Sequence, residues 1–382
     1  MMIPRKLATF LQKSKKGVLL LGPRQTGKST LIHLLSPDLT VNLAHEPTYL
    51  EFSRNPRELE ERLSAGTFKT VFIDEVQRLP SLLNTIQFLI DEGRPAIKFY
   101  LTGSSARKLR RGNVNLLPGR IHTYHLGPLV ASELNYRLDT REALATGTLP
   151  GIWTEKDQRE KWKTLQSYAA TYLKEEIQAE ALTRNVEGFS RFLFVIAAEA
   201  GKFLDLSKLA SAANIPRQSA LRYFEILEDT LIVRRCEAFR KSQRRRLIQS
   251  PRFFFFDPGI LNGLLNNFTA SADRVGILFE HLLFSQLVHS AAAKDIDLRV
   301  SSYRTEHGAE VDFILEMGKE TFAIEAKASS HIGKVDLRGL RSFADYYGKR
   351  HRSFIAYLGN VRKVIEGIEV FPWQTLLKDL DL

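Results

Sequence analysis

Cysteine is all but absent: Cys236 stands alone in 382 residues. One thiol excludes an internal disulfide framework and a cysteine-rich zinc site, and it suits a reducing compartment. Long hydrophobic runs are missing too, since no uninterrupted apolar stretch approaches the ~18 residues of a membrane span. The opening Met-Met-Ile-Pro-Arg-Lys lacks the apolar core of a secretory signal. A cytoplasmic protein that does not engage a membrane is therefore expected. There is no internal repeat and no low-complexity segment. Negative charge is in short supply, with 43 acidic against 55 basic residues and a net charge of +12. That balance favours anionic partners, nucleic acid before anionic lipid. The remainder is ordinary, 44% hydrophobic and 26% charged, with chain enough for two or three domains.

The most informative stretch is Gly17 to Leu31. Val18-Leu19-Leu20-Leu21 reads as a buried strand, and Gly22-Pro23-Arg24-Gln25-Thr26-Gly27-Lys28-Ser29 then satisfies G-x-x-x-x-G-K-[ST] at every position. Such a loop wraps a chain of phosphates in backbone N–H groups, and Gly22 and Gly27 let the backbone approach closely. Residues 22 to 30, Thr30 included, form the expected ATP cradle. Lys28 would reach the β and γ phosphates, Ser29 would ligate Mg²⁺, and a helix from about Lys28 to Leu35 would point its positive end at the anion. Thr70-Val-Phe-Ile-Asp74-Glu75 is a second apolar strand ending in two acids. Asp74 would hold Mg²⁺ through water, and Glu75 would orient or deprotonate the attacking water. The spacing leaves room for one strand between the two motifs.

Alternating strands and helices through residue 135 indicate a parallel sheet with helices on both faces. Ligands bind at the carboxyl ends of such strands, where these motifs lie. A third strand, Ile97–Leu101, ends in Thr102-Gly103-Ser104-Ser105. The stretch from Ser104 to Arg120 is basic and closes with Leu117-Pro-Gly-Arg120 before a strand Ile121–Leu126. Arg120 reads either as a residue that acts on nucleotide or as a surface arginine in a turn.

From about Tyr136 the texture turns helical. Leu206 to Leu227 reads as two helices with a tight turn near Asn214, either a helix-turn-helix or a plain helical hairpin. In the first case Arg217, Gln218, Ser219 and Arg222 lie at the exposed start of the second helix and face DNA. Two strands, Leu231–Cys236 and Arg252–Phe256, flank a basic tip with Arg244, Arg245 and Arg246. This has the form of a wing that grips phosphates, or of a solvated charged loop. After a linker around Asn266 to Asp273, a helix carries Glu280, one strand carries Glu310-Val-Asp312, and the next carries Ile324-Glu325-Ala-Lys327. An acid, a second acid and Glu-x-Lys on apolar strands form the constellation of the PD-(D/E)xK nuclease fold. The acids would hold Mg²⁺, and Lys327 would orient water or stabilise the transition state. That fold can also bind nucleic acid without cutting it.

Taken together the chain resembles a prokaryotic family of AAA+-like P-loop ATPases joined to a C-terminal domain of unknown function that contains a winged helix and a PD-(D/E)xK-like module. The resemblance rests on Gly22–Ser29, Phe72-Ile-Asp-Glu-Val, Leu101-Thr-Gly-Ser-Ser, Leu117-Pro-Gly-Arg, Ser250–Asp257, Glu310-Val-Asp-Phe and Ile324-Glu-Ala-Lys. Asp257-Pro-Gly-Ile stands where the family usually has Asp-Thr-Gly-Leu, so a local turn is expected to differ. The resemblance implies an α/β ATPase domain over 1–135, a helical and winged-helix domain over 136–270 and a nuclease-like α/β domain over 271–382. It implies Ser104 as a sensor of the γ-phosphate, Arg120 acting near that phosphate from a neighbouring subunit, and self-association. Three functions follow: an ATPase that couples hydrolysis to action on DNA, an ATP-regulated nuclease, and a nucleotide-switched protein scaffold.

Overall fold

The computed structural model describes residues 3–92, 97–104, 117–168, 185–239 and 250–382. Helix α1 (Leu7–Lys13) leads into strand β1 (Gly17–Leu21), all of whose residues are buried. Helix α2 (Lys28–His33), strand β2 (Leu39–Asn42), helices α3 (Glu46–Arg54) and α4 (Glu58–Ser64) and strand β3 (Thr70–Asp74) follow. Helix α5 (Leu82–Asp91) and strands β4 (Lys98–Gly103) and β5 (Ile121–His125) complete the layer. The strands lie in the order β2-β3-β4-β1-β5, every pair parallel. A parallel sheet covered on both faces needs continuously apolar strands, and β1 shows why: Leu19 and Leu21 enter one core, Val18 and Leu20 the other. Strand β4 is the intervening strand between β1 and β3, so the three carboxyl ends are neighbours.

The helical segment holds α6 (Thr140–Thr146), α7 (Pro150–Thr154), α8 (Gln158–Ser167), α9 (Val186–Ala198), α10 (Leu206–Ala212) and α11 (Arg217–Asp229). Between α10 and α11, Asn214 takes a φ of +51° and Ile215 N donates to Ala210 O at 3.0 Å. Asparagine tolerates that left-handed conformation better than most residues, and the chain reverses there. Strands β6 (Val233–Ala238) and β7 (Arg252–Phe255) pair antiparallel, with Val233 opposite Phe255.

Helix α12 (Pro258–Leu265) comes next, an element that sequence reading passed over. Asp257 caps it, with Oδ1 accepting from Gly259 N at 2.8 Å and Oδ2 from Thr148 N at 2.8 Å. Pro258 occupies the first helical turn, where a missing N–H costs nothing. The expected difference at Asp257-Pro-Gly is thus absorbed by a helix start.

Helix α13 (Val275–Ala293) is the central helix. Apolar on nearly all sides, it is buried in the core. Among the described residues it alone has the length and composition of a membrane span, and 67% of that window is buried inside the protein. The polar residues Glu280, His281, Gln286 and His289 interrupt its apolar sequence without breaking the helix, so a helix of this length forms although no uninterrupted apolar run of that length is present.

Strands β8 (Leu298–Arg304), β9 (Glu310–Met317) and β10 (Glu320–Lys327), helix α14 (Arg338–Tyr347), strands β11 (Arg352–Tyr357), β12 (Lys363–Ile365) and β13 (Ile368–Pro372), and helix α15 (Trp373–Asp379) finish the chain. One eight-stranded sheet results, in the order β12-β13-β11-β10-β9-β8-β6-β7. The joint is at β6 and β8, with Glu237 opposite Ser301 and Ala238 opposite Ser302. The strands expected to form a wing are therefore the edge of the carboxy-terminal sheet. One apolar core reaches from Ala131 to Leu382, and a second, with Phe239, Tyr303, Ile314, Phe343 and Ile355, packs α14 against the sheet.

Candidate functional site

The loop after β1 has the shape that the motif demands. A Cβ on Gly22 would lie 2.2 Å from Leu126 O, so no side chain fits there. Gly27 has a φ of +88°, open to glycine at no steric cost. Lys28 is buried and its Nζ donates to Gly22 O and Pro23 O at 2.8 and 2.9 Å. Thr26 Oγ1 donates to Pro23 O at 2.9 Å, while Arg24, Gln25 and Thr30 are exposed.

The strand ends converge as expected and add residues that the sequence did not single out. Ser29 Oγ donates to Asp74 Oδ1 at 2.9 Å. Thr102 Oγ1 donates to the same oxygen and accepts from Glu75 N at 3.1 Å. Glu75 has a φ of +58°. Strain in that region costs on the order of 1–3 kcal/mol and clusters at functional sites. Gln77, on the single turn Val76–Arg78, donates from Nε2 both to Glu75 Oε2 and to Ser104 Oγ, the latter at 3.1 Å. Ser104 is thus tied to Glu75 through Gln77. Arg5 is the other unexpected member. Its Nη1 donates to Thr26 O at 2.7 Å, its Nη2 to Gly127 O at 2.8 Å, and its Nε to both Glu133 oxygens at 3.0 and 3.1 Å. It pins the loop to the segment that leaves β5.

Arg120 lies away from this group. Ile121 pairs with Gly17 and His125 with Leu21, so Arg120 stands at the amino end of the strands and the loop at the carboxyl end. Its guanidinium makes a bidentate, exposed pair with Asp91 at 2.6 and 2.8 Å. Within one chain it does not face Lys28 or Glu75.

On the helix pair, Arg217, Gln218 and Arg222 are exposed at the start of α11, Ser219 is half-buried, and Arg217 Nε donates to Ser207 Oγ at 3.1 Å. Arg244, Arg245 and Arg246 lie outside the described residues.

A second constellation forms where α13, β9 and β10 meet. Glu280, Asp312, Glu325 and Lys327 do come together, with a partner that was not anticipated. Arg252 of β7 donates from Nη1 to Asp312 Oδ1 at 3.0 Å and from Nη2 to Glu280 Oε2. Lys327 Nζ donates to Glu325 Oε1 at 2.8 Å. Burial, helped by the charge of Asp312, pushes Glu280 up to about 7 against the pull of Arg252. Burial and Asp312 likewise push Glu325 well above the carboxylate range. Burial opposes the charge of Arg252, but Glu280 and Asp312 outweigh it and hold the guanidinium protonated. Among the described residues no group of three His, Cys, Asp or Glu side chains is arranged to hold a metal ion. The expected Mg²⁺ site at Glu280, Asp312 and Glu325 does not fit a metal in this arrangement, because a guanidinium stands between two of its ligands.

Residues 14–135 match the family model described as an AAA domain. Residues 137–271 and 275–376 match two models, each described as a domain of unknown function, DUF8612 and DUF4143. Two uncharacterized proteins, one of Mycobacterium tuberculosis and one of Mycobacterium bovis, are each 26% identical over 320 residues, 82% of this chain and 70% of theirs. Among solved structures, a replication initiator DnaA bound to AMPPCP and single-stranded DNA is similar at a TM-score of 0.27 and 11% identity, over 58% of this chain and 86% of that one. A type III CRISPR defence DNA nuclease activated by cyclic oligoadenylate is similar at 0.21 and 11%, over 96% of this chain and 52% of that one. Likeness at that level carries no functional argument. The AAA domain match does: the chain holds an ATP-binding P-loop domain and is an ATP-hydrolysing enzyme.

Proposed function

We propose that the enzyme couples Mg²⁺-dependent ATP hydrolysis to action on DNA. Residues 22–30 cradle the phosphates, and Lys28 exchanges the carbonyl oxygens of its own loop for phosphate oxygens. Ser29 and Asp74, already hydrogen-bonded to one another, fit a Mg²⁺ held by a hydroxyl and, through water, a carboxylate. The ion supplies positive charge against the phosphate oxygens. Glu75 takes up the proton of the attacking water or orients that water, and Gln77 holds its carboxylate in place. Ser104, on the same hydrogen-bond chain, stands where it can report the γ-phosphate to Glu75.

The observation that supports the DNA half is the exposed start of α11. Arg217, Gln218 and Arg222 project after a left-handed turn at Asn214, in a chain with a net charge of +12. Cationic residues so placed neutralise phosphates, and amide side chains there reach base edges. ATP turnover measured with duplex, single-stranded and branched DNA tests the coupling. A rate that no DNA alters would refute it and leave the scaffold reading.

A second reading, an ATP-regulated nuclease, is favoured by the convergence of Glu280, Asp312, Glu325 and Lys327. Glu280 also lines a cavity of about 440 Å³ that is open to solvent. The guanidinium of Arg252 weighs against it. Metal-dependent cleavage of DNA that is lost in Asp312→Asn would establish this second reading.

A further inference from the structure

The acidic cluster carries its own cation, and that cation comes from another part of the sheet. Arg252 stands on β7, Glu280 on α13 and Asp312 on β9. All three guanidinium nitrogens are engaged: besides the two carboxylates, Nε donates to Gly201 O at 2.7 Å. The group also lies over the ring of Phe254, 5.1 Å from its centroid. A planar fork held on four sides is a fixed charge rather than a roaming one. Asp312 uses its other oxygen to accept from Ala326 N at 2.9 Å.

Glu325 completes the picture. It is 93% buried, and Lys327 satisfies one of its oxygens; the other, Oε2, is buried with no hydrogen-bond partner. An unpartnered carboxylate oxygen is expensive in a protein interior. Arg252 pairs with Glu280 and Asp312, and Lys327 with Glu325, so removing the guanidinium leaves two of the three buried acids without their cation. The ligand set is all oxygen, which suits a hard divalent cation such as Mg²⁺ or Mn²⁺.

We propose that Arg252 is the resident cation of this cluster and excludes a divalent metal from it: guanidinium and metal compete for Glu280 and Asp312, the two acids that Arg252 grips, and only one is held at a time. Removing the arginine converts an ionic joint into a metal site. The proposal does not rest on the ATPase reading. It accounts for why a nuclease-like set of acids need not cut: the charge that metal would bring is already supplied by a side chain.

The test uses the full chain without nucleotide and Mn²⁺ as the probe, read by electron paramagnetic resonance and by thermal melting. Wild type and Arg252→Lys are expected to take up no Mn²⁺ at the cluster, and neither Mn²⁺ nor chelator should move their melting temperature. Arg252→Met should melt lower, regain stability in millimolar Mn²⁺, and bind Mn²⁺ at least about tenfold tighter than wild type. Arg252→Met/Asp312→Asn should lose both effects. Mn²⁺ uptake by wild type that disappears in Asp312→Asn would overturn the proposal, because metal and arginine would then coexist. So would an Arg252→Met protein that binds no additional Mn²⁺, or one that stays unfolded in its presence.

Discussion

Gln77 offers the sharpest test of the hydrolytic site, because its role depends on geometry rather than on a motif. One amide nitrogen serves both Glu75 Oε2 and Ser104 Oγ, and the side chain is buried. Gln77→Ala removes both bonds at once. A hydrogen bond to a charged group contributes about 1.5–3 kcal/mol. If that energy serves to orient Glu75 in the transition state, kcat falls about 10- to 100-fold. None of the hydrogen bonds of Gln77 goes to residues 22–30, so ATP affinity should stay within about twofold of wild type. Gly103→Ala is an independent way to disturb the same group, since its Cβ would lie 3.0 Å from Gln77 Oε1. It should slow turnover in the same direction. The assays are steady-state phosphate release at saturating ATP, equilibrium binding of a non-hydrolysable nucleotide, and a melting curve for each variant. An unchanged kcat in Gln77→Ala would refute the argument. A fall in kcat matched by equal losses of affinity and melting temperature would also refute it, by showing mere damage to the fold.

Glu75→Gln should retain bound ATP and slow its turnover by at least about tenfold, whereas Lys28→Ala should weaken nucleotide binding itself; binding and single-turnover measurements separate the two. Arg120→Ala should lose most ATPase activity while melting like wild type, because an exposed pair with Asp91 adds little stability. Mixing it with Lys28→Ala should then restore part of the activity, and full activity of Arg120→Ala alone would reduce that residue to a partner of Asp91. Burial pushes Asp257 up to about 6, against three backbone N–H donors that pull it down. Its folded value lies above the unfolded 3.8, so the stability it contributes is complete below that pH and is lost as pH rises through about 6. Asp257→Asn keeps the cap acceptor and removes the titration. Urea midpoints between pH 4 and 7 should therefore decline more steeply with pH in wild type than in the variant, and parallel curves would contradict the sign.

What was legible in the sequence was local. Val18–Leu21 could only be a strand buried on both faces, and the eight residues after it could fill every constrained position of a phosphate loop. Asp74 and Glu75 end an apolar run, so their place at the carboxyl edge followed directly. Asn214 marked the turn before α11. The residues that were missed are those whose partners lie far along the chain. Arg5 looks like any arginine near an amino terminus until Glu133, 128 residues away, gives it a bidentate seat. Arg252 read as the polar start of a phenylalanine strand, because Asp312 and Glu280 reach it only once β7 joins the sheet. Gln77 follows an acid pair in which charge draws the eye, and an amide has no signature of its own. Helix α12 was hidden because Asp257-Pro-Gly reads equally as a turn and as a capped helix start.

The pairing of β6 with β8 bears on heredity as well as on shape. Two family models divide the carboxy-terminal part of the chain between residues 271 and 275, yet the sheet runs across that division and one core fills both sides. A recombination event that replaced one portion and kept the other would strip β8 of its neighbour. It would bare the backbone of β8 at Ser301 and Ser302, where β6 now pairs with it, and an unpaired strand edge is a template for association with other chains. It would also separate Arg252 from the acids that it neutralises. The two portions therefore fold as one unit, and each exposes part of the other's core when separated from it.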